Sequence, residues 1–147
     1  MKLDHVITFT DGASRGNPGQ AGTGVLLYDE KGTKLVEDAR YLGVATNNVA
    51  EYQALLRALA LAAKFTSHRV TCYLDSEVVV RQMTGVYAIK SEPLQKLADK
   101  VKKKAAGFKL ISFHHVPREH PNLQMADKLA NKGVDQAKNK KGVSYGG

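Results

Sequence analysis

The sequence predicts an α/β domain in which a mixed β-sheet carries helices on both faces. The predicted order of elements along the 147 residues is β-β-β-α-β-α-α-β-α. Antiparallel hairpins followed by helical crossovers are typical of a mixed sheet. The composition, 43% hydrophobic and 24% charged, is that of a globular domain large enough to bury a core. We therefore expect one domain over residues 1–138 and a flexible tail over residues 139–147.

Three strands are predicted at the start of the chain. Residues 5–10 alternate between apolar and polar types and end at Asp11, where a glycine-rich segment typical of a turn begins. The run GTGVLLY at residues 22–28 predicts the second strand, and residues 34–41 predict the third. The sequence DEKG at residues 29–32 has the glycine expected of a hairpin turn between these two strands.

A long buried helix is predicted from the run NNVAEYQALLRALALAAK. Between Ala54 and Ala63 only Arg57 is polar, so the helix is expected to be buried on most sides. Asn48 and Glu51 have the spacing of an N-terminal capping box, with asparagine in place of serine or threonine.

The second half of the chain alternates strands and helices. Gly85 and Gly107 are typical helix stops, and Pro93 is typical of a first helical turn. The predicted elements are a strand over residues 69–74 that ends at Asp75, helices over 76–84 and 93–106, a strand over 109–116 and a last helix over 122–138.

Charge and composition narrow the class of partner. The net charge of +8 and a pI near 9.6 favour a polyanion, with nucleic acid ahead of an anionic membrane, although many small proteins are simply basic. The chain has no run of 18 apolar residues, so no membrane span is expected. Its single cysteine, Cys72, fits a reducing, cytoplasmic compartment. A monomer is expected.

The positive charge is concentrated in two lysine clusters, each of which could be only a solvated face or tail. They are Lys100, Lys102, Lys103 and Lys104, and then Lys138, Lys140 and Lys141.

Two aspartates follow predicted strands, and a glutamate lies on an apolar helix face. If the strands that end at Asp11 and Asp75 are neighbouring and parallel, both carboxylates emerge at the same sheet edge, where α/β sheets bind ligands. Glu51 shares its helix face with Leu55 and Ala58, which is costly for a charged group unless something compensates it. Glu51 could also serve only as the capping residue.

A fourth carboxylate, Asp127, lies in the first turns of the last helix, where it could simply complement the helix dipole. If all four carboxylates converge, their repulsion requires cations. Dense oxygen ligands select Mg²⁺ or Mn²⁺. Two such ions about 4 Å apart suit phosphodiester hydrolysis. The sequence therefore indicates a metal-dependent nuclease.

Four motifs resemble the type 1 ribonuclease H family over residues 6–134: TDGASRGNPG, TNNVAEYQALLRAL, YLDSEVVVRQ and MADKLAN. The resemblance implies a five-stranded mixed sheet in the order 3-2-1-4-5. It also implies cleavage of the RNA strand of RNA–DNA hybrids with two Mg²⁺ ions, leaving 5′-phosphate and 3′-hydroxyl ends. The alternatives are a catalytically inactive module that binds hybrids or duplexes, and a nuclease that also cuts RNA duplexes.

The resemblance also assigns roles to individual positions. It implies that the metal ligands are Asp11, Glu51, Asp75 and Asp127. It implies nucleic-acid contacts, including those to RNA 2′-hydroxyls and a DNA phosphate, at Gly12, Asn17, Thr46, Asn47 and Ser76.

Two departures from the family pattern are visible. Residues 87–93 are too few for the basic insertion that many members carry, so the chain resembles the short archaeal and bacterial forms. The loop before Asp127 reads HHVPREHPNLQMAD, where many members place a histidine in a flexible loop. Either Arg118 or His120 is expected to assist product release or leaving-group protonation.

Overall fold

The computed structural model describes the backbone of residues 2–146 and the side chains of residues 2–136. The strands are β1 (His5–Gly16), β2 (Gly19–Asp29), β3 (Lys34–Ala45), β4 (Arg69–Leu74) and β5 (Leu110–His115). The helices are α1 (Asn47–Ala62), α2 (Glu77–Met83), α3 (Glu92–Ala105) and α4 (Pro121–Gly146). The second lysine cluster lies outside the described side chains, and the division into a domain and a tail stays a prediction.

The five strands form one sheet in the order β3-β2-β1-β4-β5, as predicted. β2 pairs antiparallel with both β1 and β3, whereas β4 pairs parallel with both β1 and β5. β1 and β3 run in the same direction, since β2 is antiparallel to both. The α1 crossover follows β3 and returns the chain to the starting end of the sheet, so β4 is parallel to β1. Among the described residues, no helix combines the length and apolarity needed to cross a membrane.

The first hairpin is longer than predicted. β1 does not end at Asp11 but continues to Gly16, and β2 begins at Gly19, with Gly16 opposite Gly19 in the antiparallel register. The glycine-rich segment is therefore mostly strand rather than turn, because its backbone pairs with β2 throughout. The parallel pairing of β1 with β4 does stop early, at Thr10 opposite Leu74.

Helices cover both faces of the sheet. On one face α1 and α3 pack over a large apolar core that includes Val6, Leu55, Leu59 and Val101. On the other face α4 covers a smaller cluster of Phe9, Leu26, Leu123 and Leu129.

The N-cap of α1 differs from the predicted one. Thr46 is the cap, and its Oγ1 accepts a hydrogen bond from the Val49 N–H at 3.2 Å. Asn48 lies inside the first turn, so the predicted capping box does not form. Both residues are good capping types, and sequence alone fixes a helix end only to within one or two residues.

Helix α4 lies unusually close to the backbone of β2. A Cβ atom added at Gly24 would lie 2.0 Å from the Ala126 carbonyl oxygen and 2.7 Å from the Ala130 nitrogen. Only glycine permits this approach, and the approach fixes the height at which α4 carries Asp127 above the sheet.

We expect Gly24→Ala to lower the free energy of unfolding by about 2–4 kcal/mol, because the added methyl group forces α4 away from the sheet. Urea denaturation measures the change. Gly107→Ala is the matched control, since a Cβ there meets only the Lys104 carbonyl oxygen at 3.2 Å. Equal destabilisation by the two variants would contradict the close packing of α4.

Candidate active site

Three carboxylates meet at the edge of the sheet where β4 ends. Asp11 and Asp75 each follow the last residue pair of the parallel β1–β4 ladder, so their side chains emerge side by side. One oxygen from each of Asp11, Glu51 and Asp75 lies within 4.8 Å of the other two. We call these three residues the carboxylate triad. The sequence argument from strand ends therefore placed Asp11 and Asp75 together correctly.

Glu51 reaches the triad from α1. Its Oε1 accepts a hydrogen bond from the Gly12 N–H at 3.2 Å, whereas its buried Oε2 has no partner among the described residues. The alternative interpretation of Glu51 as a helix cap is wrong, because Thr46 is the cap. Gly12 permits the approach of α1, since a Cβ there would lie 2.2 Å from the Ala50 carbonyl carbon.

The triad is electrostatically strained. Asp11 and Glu51 are only 6% and 7% exposed. Burial, followed by the negative charges of Glu51 and Asp75, raises the pKa of Asp11 far above its ordinary value. Burial also raises the pKa of Glu51, although the hydrogen bond from the Gly12 N–H and the positive charge of Arg118 oppose the shift. A divalent cation would remove this cost by neutralising the gathered charge, so the donor set fits a metal with a preference for oxygen ligands.

Arg118 is the basic group at the triad. Its Nε donates a hydrogen bond to Asp75 Oδ2 at 3.1 Å, and its side chain is 84% exposed. This hydrogen bond raises the pKa of Arg118 above its ordinary value. Arg118 therefore supplies positive charge on the solvent side of the triad.

The His120 side chain packs on the sheet and has no hydrogen bond to the triad among the described residues. Its ring stacks on Phe9, with centroids 5.2 Å apart and planes inclined by 27°. Its Nδ1 accepts a hydrogen bond from the Asn122 N–H at 3.1 Å, at the start of α4. Of the two predicted loop residues, Arg118 is thus the one that contacts a triad carboxylate.

Asp127 lies near the triad but outside it. Among the described residues, it is not in the group of oxygens within 4.8 Å, and its side chain is exposed on α4. Its interaction with Asp11 nevertheless contributes to the raised pKa of Asp11. Asn131 Nδ2 donates to Asp127 Oδ1 at 3.3 Å and orients it. Asn131 was missed from the sequence, where its position one helical turn after Asp127 is the only signal.

The residues predicted to contact nucleic acid also have structural roles. Asn17, Thr46 and Asn47 line an open cleft of about 520 Å³ together with Ser91 at the start of α3. Asn17 Oδ1 accepts a hydrogen bond from the Asn47 N–H at 3.1 Å, which ties the turn between β1 and β2 to the start of α1. In the same way, Ser76 caps α2 by accepting from the Val79 N–H at 3.3 Å.

Comparison with known proteins identifies the family. A family model described as "Reverse transcriptase-like" matches residues 9–133. A protein named ribonuclease H from Polaromonas naphthalenivorans is 35% identical over 147 aligned positions, covering 90% of this chain and 89% of the relative. The chain belongs to the ribonuclease H family.

A longer relative and a solved structure are also similar to this chain. A protein from Mycobacterium tuberculosis that is named a bifunctional protein is 39% identical over 133 residues. The alignment covers 90% of this chain but only 36% of that relative's length. The crystal structure of LC11-RNase H1 in complex with an RNA/DNA hybrid is 43% identical and has a TM-score of 0.81, covering 90% of this chain and 98% of that one. The predicted family and fold class are confirmed.

We expect Asp11→Asn to stabilise the protein when divalent ions are removed. Folding raises the pKa of the Asp11 carboxyl, so the folded state binds its proton more tightly than the unfolded state does. The free energy of unfolding therefore falls as the pH rises above about 4, the ordinary pKa of an aspartate in the unfolded chain. The variant should gain about 1–3 kcal/mol at pH 7, and the gain should disappear below about pH 4, where both states are protonated.

Urea denaturation in the presence of EDTA, at pH 7 and at pH 3.5, measures this difference. Asp99→Asn, which removes an exposed carboxylate on α3, is the control and should change little. A loss of stability for Asp11→Asn at pH 7 would show that the triad is not strained.

Arg118→Ala should tighten the binding of Mn²⁺ by about two- to fivefold, because Arg118 competes with the ion for Asp75 and repels it. Titration calorimetry on metal-stripped protein measures the affinity. Arg81→Ala is the control, since it removes a comparable arginine–carboxylate pair with Glu77 at 2.7 Å. Weaker Mn²⁺ binding by Arg118→Ala alone would contradict the competition.

Proposed function

We propose that the chain is a metal-dependent endonuclease that hydrolyses the RNA strand of RNA–DNA hybrids and leaves 5′-phosphate and 3′-hydroxyl ends. The observation that carries the proposal is the carboxylate triad, in which oxygens of two buried carboxyls and of Asp75 lie within 4.8 Å of one another. Among the described residues the buried Glu51 Oε2 has no hydrogen-bond partner, so it can accept a ligand. The crystal structure of the relative LC11-RNase H1 with an RNA/DNA hybrid supports the choice of substrate.

The metal ligands in this proposal are the three triad residues, with Asp127 as the fourth. Their hard carboxylate oxygens favour Mg²⁺, with Mn²⁺ as a substitute, and their negative charge suits two ions. When bound, the ions supply an activated water and stabilise the charge that develops on the leaving oxygen. The protein's own contribution is to hold the oxygens in place. Asp11 and Asp75 are held at the end of the parallel β1–β4 pairing, and Glu51 is held by the hydrogen bond from the Gly12 N–H.

Arg118 acts through its charge in this proposal. A guanidinium does not lose its proton in a protein, so Arg118 is a poor proton donor to the leaving group. Its exposed position beside Asp75 suits contact with a phosphate oxygen of the substrate or product. We therefore assign Arg118 to phosphate contact and product release.

The hybrid is bound along the surface beside the triad. Gly12, Asn17, Thr46, Asn47 and Ser76 supply the contacts around the reacting strand, and contacts to 2′-hydroxyls distinguish RNA from DNA. The exposed lysines of α3, namely Lys100, Lys102, Lys103 and Lys104, add positive charge on the helix that packs against α1. They replace part of the missing basic insertion, and the resulting affinity is expected to depend on salt.

The triad argues against the alternative of an inactive binding module. A module that bound a polyanion without metal ions would be weakened by three carboxylates gathered in its site, because each repels phosphate.

We further propose that the protein is a cytoplasmic monomer. The buried position of Cys72, where burial raises the thiol pKa to about 12, removes a reactive thiol but does not depend on the compartment.

We expect Asp75→Asn to reduce Mg²⁺-dependent cleavage of a labelled RNA–DNA hybrid on the order of 100-fold or more, because it removes one charged metal ligand while keeping the side-chain shape. Hybrid binding without metal should remain or improve. A cleavage time course with and without Mg²⁺ and Mn²⁺ gives the rates.

The control for this experiment is Asp99→Asn, which removes an exposed carboxylate outside the site. RNA–RNA and DNA–DNA duplexes of the same sequence test substrate choice. Wild-type rates within threefold on the RNA duplex would indicate the broader nuclease, and hybrid binding without any cleavage would indicate the binding module. Undiminished cleavage by Asp75→Asn would overturn the site assignment.

A further inference from the structure

Arg118 lies in a short segment between β5 and α4 that is fixed at both ends. At the first end, the Val116 N–H donates a hydrogen bond to the Leu74 carbonyl oxygen at 2.9 Å, which extends the edge of the sheet by one residue. At the second end, the His120 N–H donates to the Pro117 carbonyl oxygen at 3.0 Å and closes a turn around Arg118. The backbone position of Arg118 therefore depends on where these two ends are held.

His120 is held by three contacts that involve different parts of the residue. Its ring stacks on Phe9 at 5.2 Å, its Nδ1 accepts from the Asn122 N–H at 3.1 Å, and its carbonyl oxygen accepts from the Gln124 N–H at 3.0 Å. The last two contacts join the end of the segment to the first turn of α4. The ring contact joins it to the sheet.

The ring that His120 stacks on belongs to the same strands as the carboxylates. Phe9 stacks in turn on Tyr73, with centroids 5.2 Å apart and planes inclined by 24°. Phe9 precedes Asp11 by two residues, and Tyr73 precedes Asp75 by two, so each ring is one strand repeat of about 7 Å behind a carboxylate. The stack therefore fixes the segment relative to the triad.

Arg118 itself needs this support. Among the described residues, its guanidinium hydrogen-bonds only to Asp75, and its side chain is 84% exposed. A long exposed side chain loses much conformational freedom when it is held in one place, so a single ion pair at the surface fixes it weakly. The position of the Arg118 backbone, which the two ends of the segment fix, therefore determines how large a fraction of the time Arg118 is paired with Asp75.

We infer that His120 is a positioning residue, which holds Arg118 against the triad through its stack on Phe9 and its cap on α4. The inference rests on the proposed function for its kinetic consequence, but not for its effect on metal binding. It also gives His120 a role that needs no proton transfer, because the stack on Phe9 and the hydrogen bond accepted by Nδ1 are both made by the neutral ring.

Three substitutions separate the two side-chain contacts of His120. His120→Phe keeps an aromatic ring against Phe9 and loses the acceptor. His120→Asn keeps a capping acceptor and loses the ring. His120→Ala loses both. The matched control is His114→Ala, because His114 is also a histidine packed on the same row of rings, 5.5 Å from Tyr73, but lies in β5 outside the segment.

The first readout is Mn²⁺ affinity by calorimetry, without substrate. His120→Ala should tighten Mn²⁺ binding in the same direction as Arg118→Ala, and the double variant should bind no more tightly than Arg118→Ala alone. His114→Ala should leave the affinity unchanged. A purely structural role for His120 would not make its effect depend on Arg118, so this double-mutant comparison isolates positioning.

The second readout is cleavage of an RNA–DNA hybrid. His120→Ala should lower kcat about tenfold and change KM less than about twofold, since a small displacement of a group at the reacting centre has effects of this size. His120→Phe should keep activity within about threefold of the wild type, with the same pH–rate profile. In the Arg118→Ala background, His120→Ala should cause less than about a twofold further loss.

Additive effects of His120→Ala and Arg118→Ala on Mn²⁺ binding would overturn the inference. The inference would also be overturned if His120→Phe cleaved the hybrid as slowly as His120→Ala and lost one limb of the pH–rate profile. That result would indicate that His120 transfers a proton. If His120→Ala does not fold, His120→Asn, which also loses the ring, replaces it in the comparison with Arg118→Ala, and His120→Phe remains the near-wild-type reference. If the wild type cleaves no hybrid, the proposed function fails, and Mn²⁺ binding still decides whether His120 positions Arg118.

Discussion

The repulsion among Asp11, Glu51 and Asp75 is the constraint on which the rest of the structure depends. Two of these carboxylates are buried, and burial together with their mutual proximity favours their protonated forms. Such a cluster lowers the stability of the metal-free protein, so it persists only because the surrounding backbone fixes all three side chains from rigid elements. A divalent cation held among the three carboxylates would offset this loss of stability.

Glycine at two positions makes this rigidity possible. Gly12 allows α1 to approach one face of β1 and bring Glu51 to the triad, while Gly24 allows α4 to approach the opposite face of β2 and carry Asp127 nearby. Both helices meet strand backbone rather than side chains at these points, so their positions tolerate little adjustment. Gly12, which belongs to a segment that resembles a flexible turn in the sequence, therefore has the opposite effect, which is to fix the site.

Much of the fold and the triad could be predicted from local patterns. β4 has the predicted bounds, and the argument from parallel strand ends located Asp11 and Asp75, because it needs only the order of elements. The errors have a common cause. Glycine propensity could not show that the segment after Asp11 pairs with β2, and the stacking of His120 on Phe9 joins residues more than 100 positions apart. Only the packed tertiary structure determines such contacts.

The charges of the protein and of the triad have opposite signs, and this couples metal binding to substrate binding. The net charge of +8 attracts a polyanion over long distances, whereas the triad repels the phosphate that must come closest to it. Arg118 offsets only part of this repulsion, because it is exposed and screened by solvent. Divalent ions that neutralise the triad therefore favour the approach of phosphate, and by linkage a bound phosphate must favour the ions to the same extent. In the proposed function, metal ions at the triad would therefore strengthen the contact with the nearest phosphate, while the positively charged surface could still hold the hybrid in their absence.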